Sequence, residues 1–158
     1  MSRPAISFDT ARAEQIHDVL SGLVPTIAQP LPHNPLGVEM GSLFPIIVPL
    51  EEILNGRIHG EVTSAVYVVT DDARTARYVG SVDRSSPALK SRLSAHVRQR
   101  AEVRRTWSGL GLIRLPDGLS HRKVLLCEGW VGRVLDPLDN DRLPLVGRWS
   151  WRPRSRVA

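Results

Sequence analysis

Glu128 sits where a carboxylate is costly. In the stretch HRKVLLCEGWVGRVL, residues 121–135, Val124 lies one turn before it and Val131 and Leu135 lie after it on the same helical face. Arg122 and Arg133 fall on the polar face. A carboxyl inside an apolar stripe either pairs with an internal arginine or binds a metal. A second stretch, residues 88–103, sets Leu89, Leu93 and Val97 in one stripe, with His96 at its margin and Arg92 just beyond. A guanidinium there either snorkels on a solvated helix or lines the rim of a cleft. Two phenols precede both stretches, Tyr67 and Tyr78, separated by ten residues. They either cover a sheet face or bring their hydroxyls to a common cleft. These are groups that can hold a cation, grip an oxyanion and move protons.

The tyrosines need a hairpin to meet. Residues 62–80, VTSAVYVVTDDARTARYVG, read as two strands around the polar turn 71–76. Alternation puts Ala65, Tyr67 and Val69 on one face and Val66 and Val68 on the other. Arg77 to Val82 form the returning strand. Ser86 and Pro87 start a helix that runs to about Val103. Residues 107–115 read as a third strand, 116–118 as a turn, and Ser120 as the cap of the Glu128 helix. Upstream, Asp9 or Thr10 caps a helix over residues 9–23, striped by Ile16, Val19, Leu20 and Leu23. Prolines at 25, 30, 32, 35 and 45 make the next segment an extended arm, and 44–50 suits only an edge strand. Glu51 to Asn55 form one helical turn closed by Gly56. The tail interleaves Arg142, Arg148, Arg152, Arg154 and Arg156 with Trp149 and Trp151. Those side chains either neutralise phosphates and stack on bases or pack the tail down beneath a solvated fringe.

Composition narrows the classes. The 158 residues are 42% apolar and 23% charged, a globular balance for one domain. Net charge is +5 and the sequence pI about 10.3, which suits a polyanionic partner without defining a fold. The single cysteine, Cys127, forms no intramolecular disulfide, and no CxxC pattern marks a zinc site. The N-terminal segment lacks the apolar core of a signal peptide, and no apolar run spans a bilayer. The expectation is a soluble, cytoplasmic protein without membrane contact.

The triplets Ala65-Val66-Tyr67 and Tyr78-Val79-Gly80 resemble the paired motifs of the GIY-YIG nuclease family. The pattern Leu89-x-x-Arg92-Leu93-x-x-His96, the helical Glu128, and Pro137 with Asn140 follow in that family's order, so the resemblance spans about residues 62–140. It implies an α+β core with a small three-stranded antiparallel sheet of mixed order flanked by helices, and an N-terminal helical and extended addition. The corresponding division is 1–60 as an arm packed on the core, 61–141 as the nuclease core, and 142–158 as a basic tail. Ala65 stands where the family has its first glycine, Ser81 follows Gly80 where many members have lysine, and the interval from Gly80 to Arg92 is long.

The resemblance implies metal-dependent hydrolysis of DNA phosphodiester bonds. Glu128 would be the single protein ligand of Mg2+ or Mn2+, and Arg92 would bind the scissile phosphate. Tyr67 would be the general base, Tyr78 would hold the water or phosphate, His96 would stand in reserve as base or phosphate donor, and Asn140 would brace the site. Gly80 would admit the substrate's close approach. Arg84 and Lys90 would make up for the missing lysine, joined by Arg148, Trp149 and Trp151 as substrate contacts. DNA stands ahead of RNA as partner, and dimerisation is one way for a compact enzyme to cut both strands. The alternative from another class is a catalytically silent nucleic-acid-binding or assembly module that keeps the fold.

Overall fold

The run Ala-Val-Tyr-Val-Val-Thr at 65–70 is buried from end to end, because the strand it forms is covered on both faces. The computed structural model describes residues 5–24, 47–85, 87–99, 101–144, 146 and 151–153, with the side chains of 103, 104 and 151–153 excepted. In chain order the elements are α1 (Thr10–Leu23), β1 (Ile47–Pro49), α2 (Leu50–Leu54), β2 (Ala65–Thr70), β3 (Ala76–Val82), α3 (Leu89–Gln99), α4 (Ala101–Arg104), β4 (Gly109–Arg114), α5 (His121–Leu135), β5 (Arg142–Pro144) and β6 (Trp151–Pro153). The architecture is α+β.

Among the described residues the main sheet has four strands, not three, in the order β1-β4-β2-β3, all antiparallel. The extra strand is the proline-bounded segment expected at an edge. Val48 pairs with Leu110, and Pro49 comes last, where a missing amide does least harm. One face carries Val66, Val68, Val79 and Ile113 against Ile16 and Leu20 of α1 and Val124, Cys127, Val131 and Leu135 of α5. The other carries Ala65, Tyr67, Val69, Val82, Leu110 and Leu112 against Leu50 and Ile53 of α2 and Leu89, Leu93 and Val97 of α3. The described part of residues 1–60 therefore adds a strand to the sheet and a helix to each face.

The long helix expected from Pro87 to Val103 begins later, at Leu89; α3 and α4 cover its described helical residues, and Arg100, between them, lies outside the described residues. Its first orphan amides find backbone partners, since Leu89 N donates to Val62 O at 3.0 Å and Lys90 N to Gly60 O at 3.1 Å. The caps elsewhere follow the sequence. Asp9 accepts from Arg12 N, and Ser120 from Lys123 N. Asp136 ends α5 in the left-handed conformation at φ 43°. Beyond it, β5 pairs with β6 in a second, two-stranded sheet beside α5.

Candidate active site

The site begins at the β2–β3 pairing. Tyr67 stands directly opposite Gly80, and its ring lies across that glycine: a Cβ there would come within 2.9 Å of Tyr67 Cε2 and nearer still to the hydroxyl. Gly80 thus makes room for Tyr67, a correction to the expectation that it leaves its backbone open to substrate. Two residues earlier, Tyr78 stacks on the same face, with ring centroids 6.2 Å from Tyr67, 4.9 Å from His96 and 5.3 Å from Trp107. The Tyr78 hydroxyl and His96 Nε2 share a hydrogen bond of 3.4 Å whose direction follows the imidazole tautomer.

The register slips between Val69 and Thr70, so Arg77 is the extra residue of a bulge. Its guanidinium turns to Asp139 and forms two hydrogen bonds, 2.9 and 3.0 Å, while Trp107 Nε1 donates to the same carboxylate at 2.8 Å. Asp139 is accordingly a half-buried anchor and not an exposed turn acid. Asn140 finishes the job on the strand edge. Its amide accepts from Val79 N at 2.8 Å and donates to Val79 O at 2.9 Å. The turn 138–140 therefore covers the outer edge of β3 as far as Val79 and holds Tyr78 and Gly80 in register.

Glu128 and Arg92 approach from opposite faces of the sheet. Glu128 points from α5 to β3, where the Ser81 hydroxyl bonds it. Burial pushes its carboxyl up to about 7, against the opposing pull of Ser81, Arg92 and His121. Tyr67 is fully buried, and desolvation drives its phenol far above the ordinary value. Tyr78 and Glu128 add to that rise, and Arg92 opposes it. So Tyr67, Arg92 and Glu128, from β2, α3 and α5, lie within electrostatic reach of one another around β3, the edge strand. Among the described residues neither Tyr67 Oη nor Arg92 Nε, both buried atoms, makes a well-formed hydrogen bond, although the two side chains lie close enough to interact with each other.

The substrate contacts expected from sequence fare less evenly. Arg84 is exposed in the turn after β3. Lys90 lies elsewhere: its stem covers Gly56 and Gly60, on the side of α3 that meets α2. It is roughly 200° around the helix from Arg92, so it is not positioned to replace a cation beside Gly80. Arg148 and Trp149 lie outside the described residues, as does the Trp151 side chain, whose backbone forms the start of β6.

Two residues of this region had no signal in the local sequence. Asp83, buried, accepts from Ser85 N at 2.8 Å and from Ser85 Oγ at 2.5 Å, and it contacts His121 Nδ1. Burial raises its carboxyl, but Ser85 and His121 more than offset this and hold it below the usual range. The partners are 38 residues apart, and only the packing of α5 on β3 joins them.

Among the described residues no group of three or more His, Cys, Asp or Glu side chains gathers as a metal cage, and no helix is long and apolar enough to cross a membrane. No protein-family model, curated protein or solved structure matches the chain.

Proposed function

We propose that the chain is a metal-dependent endonuclease that hydrolyses DNA phosphodiester bonds, with an active site of the GIY-YIG kind. One observation carries the reading: a buried carboxyl on α5, a partly buried arginine on α3 and a buried phenol on β2 lie within electrostatic reach of one another. Gathering ionisable groups in a poorly solvated place is costly for a core, and it suits a site that receives a cation and an anionic substrate.

The donor set fits a hard divalent cation. Such an ion is content with one carboxylate, several waters and substrate oxygens, so the lack of a cage of acids is no obstacle. Glu128 would hold it, and when bound it would supply Lewis-acid stabilisation of the phosphoryl oxygens. Arg92 presents a planar fork of donors to the scissile phosphate. Burial disfavours the phenolate of Tyr67, which as a neutral phenol is a better donor to a phosphoryl oxygen than a base. Tyr78 and His96 are better arranged to move the proton. As water attacks phosphorus, Tyr78 takes its proton and passes its own to His96 Nε2, while the departing sugar oxygen takes a proton from solvent.

Supercoiled plasmid incubated with the protein and Mg2+ or Mn2+ should be nicked or linearised, and chelation by EDTA should stop it. Plasmid left intact with either metal across a range of DNA sequences would overturn the reading in favour of a silent binding module.

A further inference from the structure

We propose that the Asp83–His121 pair is a second phosphate-binding element, which holds the DNA backbone next to the scissile position. The proposal rests on the nuclease reading for its substrate; the pair adjoins the Tyr67–Arg92–Glu128 cluster, with His121 in electrostatic reach of Glu128, but shares none of its residues.

Two rungs join β3 to α5. Ser81 meets Glu128, and Asp83 meets His121. Alternation puts Ser81 and the following Asp83 toward α5, roughly 6.6 Å apart along the chain. On α5, His121 and Glu128 are seven residues apart, about two turns, and so share a face. The second rung is therefore a neighbour of the first, roughly 6.6 Å from it along the strand and about 10.5 Å along α5, a separation that a DNA backbone crosses within a few phosphates.

The two partners are unequal in exposure. The Asp83 side chain is only 8% exposed, whereas His121 is 62% exposed. Asp83 is fixed by both the amide and the hydroxyl of Ser85. It engages His121 through Nδ1, and Nε2 is the remaining polar atom of this largely exposed ring. An imidazolium donates from both nitrogens, to a carboxylate on one side and to a phosphate oxygen on the other. A pair that served only to tie β3 to α5 would have no need of an exposed ring. The exposed Arg84, next in sequence to Asp83, adds a cation at the same end. On this assignment His121 touches the substrate and Asp83 is a positioning residue that orients it.

The test uses the full chain and a fluorescently labelled DNA duplex in EDTA, so that binding is read without cleavage. Anisotropy titrations between about 50 and 200 mM salt give the affinity and its salt slope. His121→Ala should weaken binding by roughly 5- to 30-fold and lower the slope by about one. Asp83→Asn should move both in the same direction. His121→Arg, which keeps a cation at the position, should retain the slope and guards against loss of fold in the alanine variant. Wild-type affinity and slope in His121→Ala would overturn the proposal, as would equal weakening in the alanine and arginine variants with the slope unchanged. A protein that cuts DNA but shows no dependence on His121 removes this inference alone. One that binds with the expected slopes but never cuts removes only the nuclease reading.

Discussion

At the scale of single residues, the decisive feature is a carboxyl kept out of water. Glu128 is raised to about 7 from 4.5, chiefly by burial. The folded protein therefore holds its proton more tightly than the unfolded chain does. Its contribution to stability is fully present below about pH 4.5, and it is lost as pH rises through about 7. In metal-free buffer, urea denaturation should give wild type a lower stability at pH 8 than at pH 5, with up to about 3 kcal/mol of the fall due to this group. Glu128→Gln should remove that part of the pH dependence and match or exceed wild type at pH 8. Equal pH dependence in the two proteins would mean that the carboxyl is better solvated than its surroundings imply. Tyr67 obeys the same physics: a phenol sealed against Gly80 has no water to support its anion.

At the scale of elements, the hairpin is fitted around one close approach. Tyr67 fills the space above Gly80, so even a methyl group there must displace the ring or the strand. Gly80→Ala should cost about 1–3 kcal/mol, measured by thermal or denaturant unfolding, and should also shift the Tyr67 hydroxyl relative to Arg92. An alanine variant as stable as wild type would show that the ring moves freely. The hairpin was legible beforehand, because the two triplets and the alternation of β2 depend on local sequence; the packing of Tyr67 over Gly80 was not, because it depends on the register of the two strands. The Ser120 cap and the apolar stripe of α5 were legible too. The Asp83–His121 contact was not legible, because neither residue carries a local mark of a partner 38 positions away. Nor was the role of Asp139. That depends on a bulge at Arg77, and a bulge is set by how two strands fit. The late start of α3 has a similar origin: the carbonyls of Gly60 and Val62 take its first amides, a tertiary substitute for a side-chain cap.

At the scale of the whole molecule, the sheet is a wall with machinery on both faces, and the site wraps around its β3 edge. The described residues before 61 belong to that wall. Phe8, Ile16 and Leu20 are buried on one face, Leu50 and Ile53 on the other, and β1 covers the outer edge of β4. A protein cut back to residues 61–141 should therefore lack cooperative unfolding, as read by circular dichroism on heating, although it holds every residue of the proposed site. A sharp transition in that fragment would mean that the N-terminal elements are dispensable cover.

The central claim is that three side chains from three elements act on one phosphate. The most direct measurement is single-turnover cleavage of an end-labelled duplex in Mg2+ by wild type and Glu128→Gln at matched DNA occupancy. The account predicts that wild type cuts, and that the glutamine variant binds comparably but cuts at least about a thousandfold more slowly. Cleavage by Glu128→Gln at the wild-type rate would contradict it.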